Sequence, residues 1–134
     1  MVSIPPTATI DGVEVSIERK KTGSGSATIN DNLIKLVKNG TVSGNSKSAG
    51  ATWPTSDTTA TFGSSSDLWG NTLTPSDINN SNFGVAIAVS CFSIKFPATA
   101  NIDHVTITVT YTDGAPPATT TGVGTMTGVQ SITL

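Results

Sequence analysis

From Asp103 the chain alternates without a break: Val105, Ile107, Val109 and Tyr111 fall on odd positions, Thr106, Thr108 and Thr110 on even ones. Successive side chains of a strand point to opposite faces. The run therefore reads as a half-buried antiparallel strand, apolar inside, with a threonine ladder turned to solvent or to a partner. A second run carries Phe83, Val85, Ile87, Val89 and Cys91, with Gly84, Ala86, Ala88 and Ser90 between them. It reads as a strand with one face in the core and a flat or tightly covered second face. Joined by the hairpin-like stretch Phe96–Asn101, the two runs predict antiparallel neighbours in an all-β, antiparallel two-sheet sandwich of jelly-roll-like type.

The remaining chain agrees with short strands. Val13, Val15 and Ile17 alternate with Glu14, Ser16 and Glu18 and run into Arg19-Lys20-Lys21, followed by a turn at Gly23-Ser24-Gly25-Ser26. A strand over about Thr28 to Lys38 ends at Asn39-Gly40, the strongest short hairpin signal, and its partner starts at Thr41-Val42. A weaker strand, Thr58-Ala60-Phe62, follows the loop with Trp53-Pro54. Thr, Ser, Gly and Asn make up a little under half of the chain, a composition of exposed strand positions and turns. One short helix is expected, with Thr74 as N-cap, Pro75 in its first position, Asp77 against its N-terminus and an end by Asn80-Ser81-Asn82.

With 134 residues, the chain suffices for one core. The division expected is a sandwich over 1–112 and a linker with an extended arm over 113–134. Asp113-Gly114-Ala115-Pro116-Pro117 is the linker. Beyond it the chain is uncharged, with Val123, Met126, Val129, Ile132 and Leu134 as scattered apolar positions, too few to fold alone. A hydrophobic residue every two or three positions suits a strand added to the edge of a partner's sheet. These five residues are the candidate partner-binding set.

Catalytic chemistry finds no foothold. His104 is the one histidine, lies on the threonine face, and no Gly-x-Ser-x-Gly elbow accompanies it. It reads as an exposed or interface residue. Cys91, the one cysteine, is in phase with core positions and reads as a buried, inert thiol; no intrachain disulfide is possible. One Cys and one His do not make a zinc site. Asp31, Asp57, Asp67, Asp77 and Asp103 lie in loops and at strand ends without an Asp-x-Asp-x-Asp-Gly calcium loop, so they read as turn formers. No catalytic residue, metal site or cofactor is expected. Seven Lys and Arg against nine Asp and Glu give a net charge of −2, and charged residues are 12% of the chain, so nucleic acid and anionic membranes are not expected partners. No stretch approaches the ~20 apolar residues of a membrane span. Trp53 and Trp69 lie in loops. The favoured reading makes them plugs at the ends of the core, and the alternative makes them glycan-stacking faces.

Three motifs carry a resemblance: Ser66-Asp67-Leu68-Trp69-Gly70, Leu73-Thr74-Pro75-Ser76-Asp77-Ile78-Asn79 and Phe83-Gly84-Val85. With Gly12–Arg19, Leu36–Gly40 and Asp103–Tyr111 they resemble a family of β-sandwich virion proteins from tailed phages and phage-rich metagenomes, over about residues 8–112. The resemblance implies a non-enzymatic phage structural protein and brings no catalytic residues. The N-terminus, Met1-Val2-Ser3-Ile4-Pro5-Pro6, lacks the basic start and apolar run of a signal peptide. A protein made in a host cytoplasm and carried in the virion is the expectation. The particular role expected is a capsid decoration (cement) protein, homo-oligomeric, gripping the major capsid protein, another virion protein or its own copies. The alternative is a glycan- or receptor-binding module of a phage fibre, using Trp53 or Trp69.

Overall fold

The computed structural model describes residues 3–23, 26–93 and 97–114 in full, and the backbone of 127–133. In chain order these form β1 (Thr9–Gly23), β2 (Thr28–Lys38), β3 (Thr41–Ser43), β4 (Thr58–Gly63), the helix α1 (Pro75–Asn79), β5 (Gly84–Phe92), β6 (Ala98–Thr112) and β7 (Thr127–Thr133). Two antiparallel sheets pack together, one in the order β4-β1-β6-β7 and the other β3-β2-β5. This is the all-β two-sheet sandwich that the alternating runs demand, with the one short helix.

The pairing departs from expectation in one respect. β5 and β6 are not neighbours: β5 pairs with β2, and β6 pairs with β1 and β7. The chain between them crosses from one sheet to the other. The two apolar faces therefore meet the same core from opposite sides, Val85 and Ile87 of β5 packing on a cluster that holds Val105, Ile107 and Val109 of β6. Alternation specifies which face is apolar and says nothing of which strand lies alongside.

Pairing within each sheet lines up core residues: Val13 with Val109, Val15 with Ile107 and Ile17 with Val105 in one, Leu36 with Val85 and Ile34 with Ile87 in the other. Three register shifts each leave one residue unpaired, Asp11 in β1, Asn32 in β2 and Asp103 in β6. An extra residue reverses the phase of everything beyond it. In β1 the inward positions pass from Ile10 to Val13, and in β2 from Asp31 to Ile34. Asp11 is tied down by the Thr112 hydroxyl, which donates to its Oδ2 at 2.6 Å.

Local signals build the connections as expected. Asn39 and Gly40 both adopt positive φ, 52° and 78°, the pair of left-handed conformations of a two-residue hairpin turn between β2 and β3. In α1 the Thr74 hydroxyl accepts from the Asp77 amide at 3.2 Å, while Asp77 Oδ2 accepts from the Thr74 amide at 2.9 Å, a reciprocal cap. The helix carries Ile78 into the core. Asn79 then grips the backbone of Ile4 at both ends: the Ile4 amide donates to its Oδ1 at 2.8 Å, and its Nδ2 donates to the Ile4 carbonyl at 2.9 Å. Ile4, buried, thereby seals the end of the apolar core.

Residues 127–133, expected within an arm separate from the 1–112 sandwich, lie as β7 on the outer edge of the chain's own β6. The reason is the edge itself, which offers backbone donors and acceptors on the side of β6 away from β1.

Candidate functional site

The sandwich has two dissimilar ends. At the first, Trp69 is fully buried in the apolar cluster with Leu73, Ile78, Phe83 and Tyr111. Its backbone has φ 57°, its amide donates to Asp67 Oδ1 at 2.8 Å, and its indole Nε1–H donates to the Val13 carbonyl at 2.8 Å. Gly63, at φ 77°, leaves room for this: a Cβ there would strike the Val13 carbonyl and Trp69 Nε1. Lys47 closes the outside, its ammonium 5.8 Å from the Trp69 ring and paired with Asp67. The hydrogen bond from Lys47 is the largest influence holding the Asp67 carboxyl below its ordinary range, against a smaller upward push from burial. For Asp77, burial pushes upward most. The Thr74 amide and hydroxyl, Asn39 and Lys38 together outweigh it and leave the carboxyl below its ordinary value.

At the second end the interior is charged. Arg19 continues the inward phase of Val13, Val15 and Ile17, so the period that buries the valines buries its guanidinium too. Arg19 Nη1 donates to Asp31 Oδ1, which also accepts from the Trp53 indole at 2.8 Å. The guanidinium lies 5.0 Å from the Trp53 ring and 5.5 Å from the Phe62 ring. Asp31 reaches this position because Asn32 is the bulge residue. Backbone bonds fasten the Ala51–Pro54 segment across the end: Asp31 to Ala51 at 3.0 Å, Trp53 to Ile29 at 2.8 Å and Lys21 to Pro54 at 2.7 Å. Asp31 Oδ2 is buried without a protein partner. The signal for this cluster was present in the odd-numbered series ending at Arg19. Its partner was hidden by the bulge.

Both tryptophans are therefore buried plugs, and neither offers an open ring face for a sugar. This corrects the glycan-stacking alternative for Trp53 and Trp69: each indole N–H is used up internally and each ring is enclosed. Cys91 is also corrected. It is exposed, although it pairs with buried Ile29. β5 is the outer strand of its sheet, and Cys91 lies at its last turn of alternation, where the face is right and the cover is missing. His104 is exposed, opposite Glu18. Of the five aspartates weighed as calcium ligands, four pair with cations: Asp31 with Arg19, Asp57 with Lys20, Asp67 with Lys47 and Asp77 with Lys38; the fifth, Asp103, lines one cleft with Asp57 and Lys20. Among the described residues no group of three or more His, Cys, Asp or Glu is placed to hold a metal ion.

The remaining candidate surface is the pair of sheet edges on the β5–β6 side. β7 covers Thr106–Thr112 of β6, from Thr106 opposite Thr133 to Thr112 opposite Thr127. Among the described residues, Ala98–Val105 has no strand on that side, and the second edge of β5 has none either. Large apolar side chains stand exposed there: Phe92, 65% accessible, ends β5, and Ile102, 44% accessible, lies on the uncovered part of β6. Ile102 also lines a cleft of about 260 Å³ with Lys20, Asp57, Asn101 and Asp103. Of the five arm residues, Val129 and Ile132 fall in β7, at backbone positions opposite Thr110 and Ile107. Val123, Met126 and Leu134 lie outside the described residues.

No family model matches this chain, and no curated protein or solved structure matches it either.

Proposed function

We propose that this chain is a non-enzymatic virion structural protein, a capsid decoration (cement) protein that attaches through its sandwich edge and its C-terminal strand. The supporting observation is the placement of 127–133 as a strand on a sheet edge, reached from Thr112 by a connection far longer than a hairpin needs. Strand addition supplies affinity through main-chain hydrogen bonds and asks little of side-chain identity, which suits an uncharged Thr-, Gly- and Ser-rich segment. The surface around it is also suited to a protein neighbour: Phe92 and Ile102 are apolar, exposed and close to unpaired backbone. The expected partner is a major capsid protein, another virion protein or a further copy, and the expected location is the virion.

The test is particle binding. The full chain is expected to bind particles that lack it at a fixed number of copies. A chain cut after Gly114 is expected to stay folded and to lose attachment. Full occupancy by the shortened chain would overturn the attachment role of the arm.

A further inference from the structure

We propose that β7 is exchanged between copies of this chain, so that residues 127–133 of one copy seat on the outer edge of β6 in another. The inference rests on the assembly reading above and names its partner as a second copy. Three observations carry it. The contact is a seven-residue backbone ladder, Thr106–Thr112 against Thr127–Thr133, and those hydrogen bonds are the same whether the strand comes from the same chain or a neighbour. Within one chain, Thr112 and Thr127 face each other directly, so a hairpin would close with about two to five residues. The chain instead places fourteen there, 113–126, among them Pro116 and Pro117. Fully extended, that connection reaches roughly 45 Å. A compact chain of this length has a radius of gyration of about 14 Å, so the connection is long enough to reach a neighbouring copy.

The acceptor chemistry then selects the second copy over a different protein. If β7 left to join another protein's sheet, Thr106–Thr112 would lose its strand and the uncovered edge of β6 would run from Ala98 to Thr112. A long uncharged edge of that kind invites uncontrolled pairing. Reciprocal exchange refills each vacated Thr106–Thr112 segment with an identical strand in the same register, and two copies related by a two-fold axis close the exchange between themselves.

Cross-linking of the full-length chain tests this. Thr108 and Ser131 are opposed in the ladder. In a Cys91→Ser background, Thr108→Cys and Ser131→Cys are made separately and the two proteins are unfolded, mixed and refolded together. Oxidation, or a short bis-maleimide, is expected to give a covalent heterodimer as the major product on a non-reducing gel. The doubly substituted chain is expected to give mostly cross-chain species. A doubly substituted chain that locks as an internally linked monomer, with no heterodimer from the mixture, overturns the exchange. That result leaves the assembly reading standing if truncation at Gly114 still abolishes particle binding. Conversely, a truncated chain that still decorates removes the assembly reading whether or not strands exchange.

Discussion

Trp69 and Trp53 are the two largest buried side chains, and they close the sandwich at opposite ends by different means. Trp69 lies among aliphatic and aromatic side chains, its one polar atom bonded to the Val13 carbonyl. Trp53 shares Asp31 Oδ1 with a buried guanidinium and covers the ion pair with its ring. The first end is held by removal of apolar surface from water and by fit, which add up with area. The second combines ring burial with two desolvated charges, whose mutual attraction roughly offsets what their burial costs. The two plugs are equal in burial and unequal in what holds them, and substitution should separate the two.

The largest effect is expected at the apolar end. Trp69→Ala empties a site enclosed on every side and fixed by the Val13 carbonyl and Gly63, so a loss of about 3–5 kcal/mol is expected in denaturant unfolding. A loss under about 1 kcal/mol would mean that the ring fills a space the loop can collapse into, and the contrast between the ends would vanish. At the charged end, Asp31→Ala strands the Arg19 guanidinium between two rings and is expected to cost about 3 kcal/mol. The paired change Arg19→Met with Asp31→Leu is the sharper test. It removes both charges and is expected to lie within about 1 kcal/mol of the parent, or above it, because no ion is left uncompensated. A double variant as damaged as Asp31→Ala would show that the pair is a net source of stability.

The same contrast explains which parts of the molecule were legible in the sequence. Signals carried by neighbouring residues came through: the alternation of Val105–Tyr111, the Asn39-Gly40 turn and the Thr74/Asp77 cap each act over a few residues and need no knowledge of the fold. Pairing was not legible, because the separation of β5 and β6 into different sheets is decided by contacts far apart in the chain. The charged end was half visible. Arg19 stands in the inward series of β1, yet Asp31 reaches the inner face with Ile34 because of one extra residue at Asn32, which no period-two reading can place. For the candidate site, the strand character of the C-terminal segment followed from the spacing of its apolar positions, one every two or three residues. Its seat on β6 did not, since an edge exists only once the sheet is assembled.

A smaller effect should come from one of the charges at the apolar end. Asp77 caps α1 beside Ile78, and its carboxyl is held below the ordinary value despite burial, by Thr74, Asn39 and Lys38. A depressed carboxyl contributes stability that is fully present above the unfolded value, about 3.9, and is lost as pH falls through the folded one. Asp77→Asn is therefore expected to cost about 1 kcal/mol at pH 7. The gap between variant and parent is expected to shrink as the pH is lowered from 5 towards 2. A gap independent of pH would assign the cap's contribution to hydrogen-bond geometry alone.

The smallest effect concerns the charged end's outer rim, where Ile29 and Cys91 face each other across β2 and β5. Directly paired residues of an antiparallel ladder share a face, so both look inward, yet Ile29 is buried and Cys91 exposed. Ile29 belongs to a central strand fastened to Trp53 by a backbone bond, whereas Cys91 lies near the end of an outer strand. Depth is thus set by position in the sheet, and alternation supplies only direction. Cys91 in the folded protein is expected to react with DTNB at a rate close to that of a small free thiol. Cys91→Ser is expected to change stability by less than about 0.5 kcal/mol, as for surface positions generally. If β7 exchange builds a neighbour over the β5–β6 side, labelling of the assembled protein should slow while that of the chain truncated at Gly114 stays fast. Slow labelling in both would place cover over Cys91 within the single chain, and the rim would then be a continuation of the core.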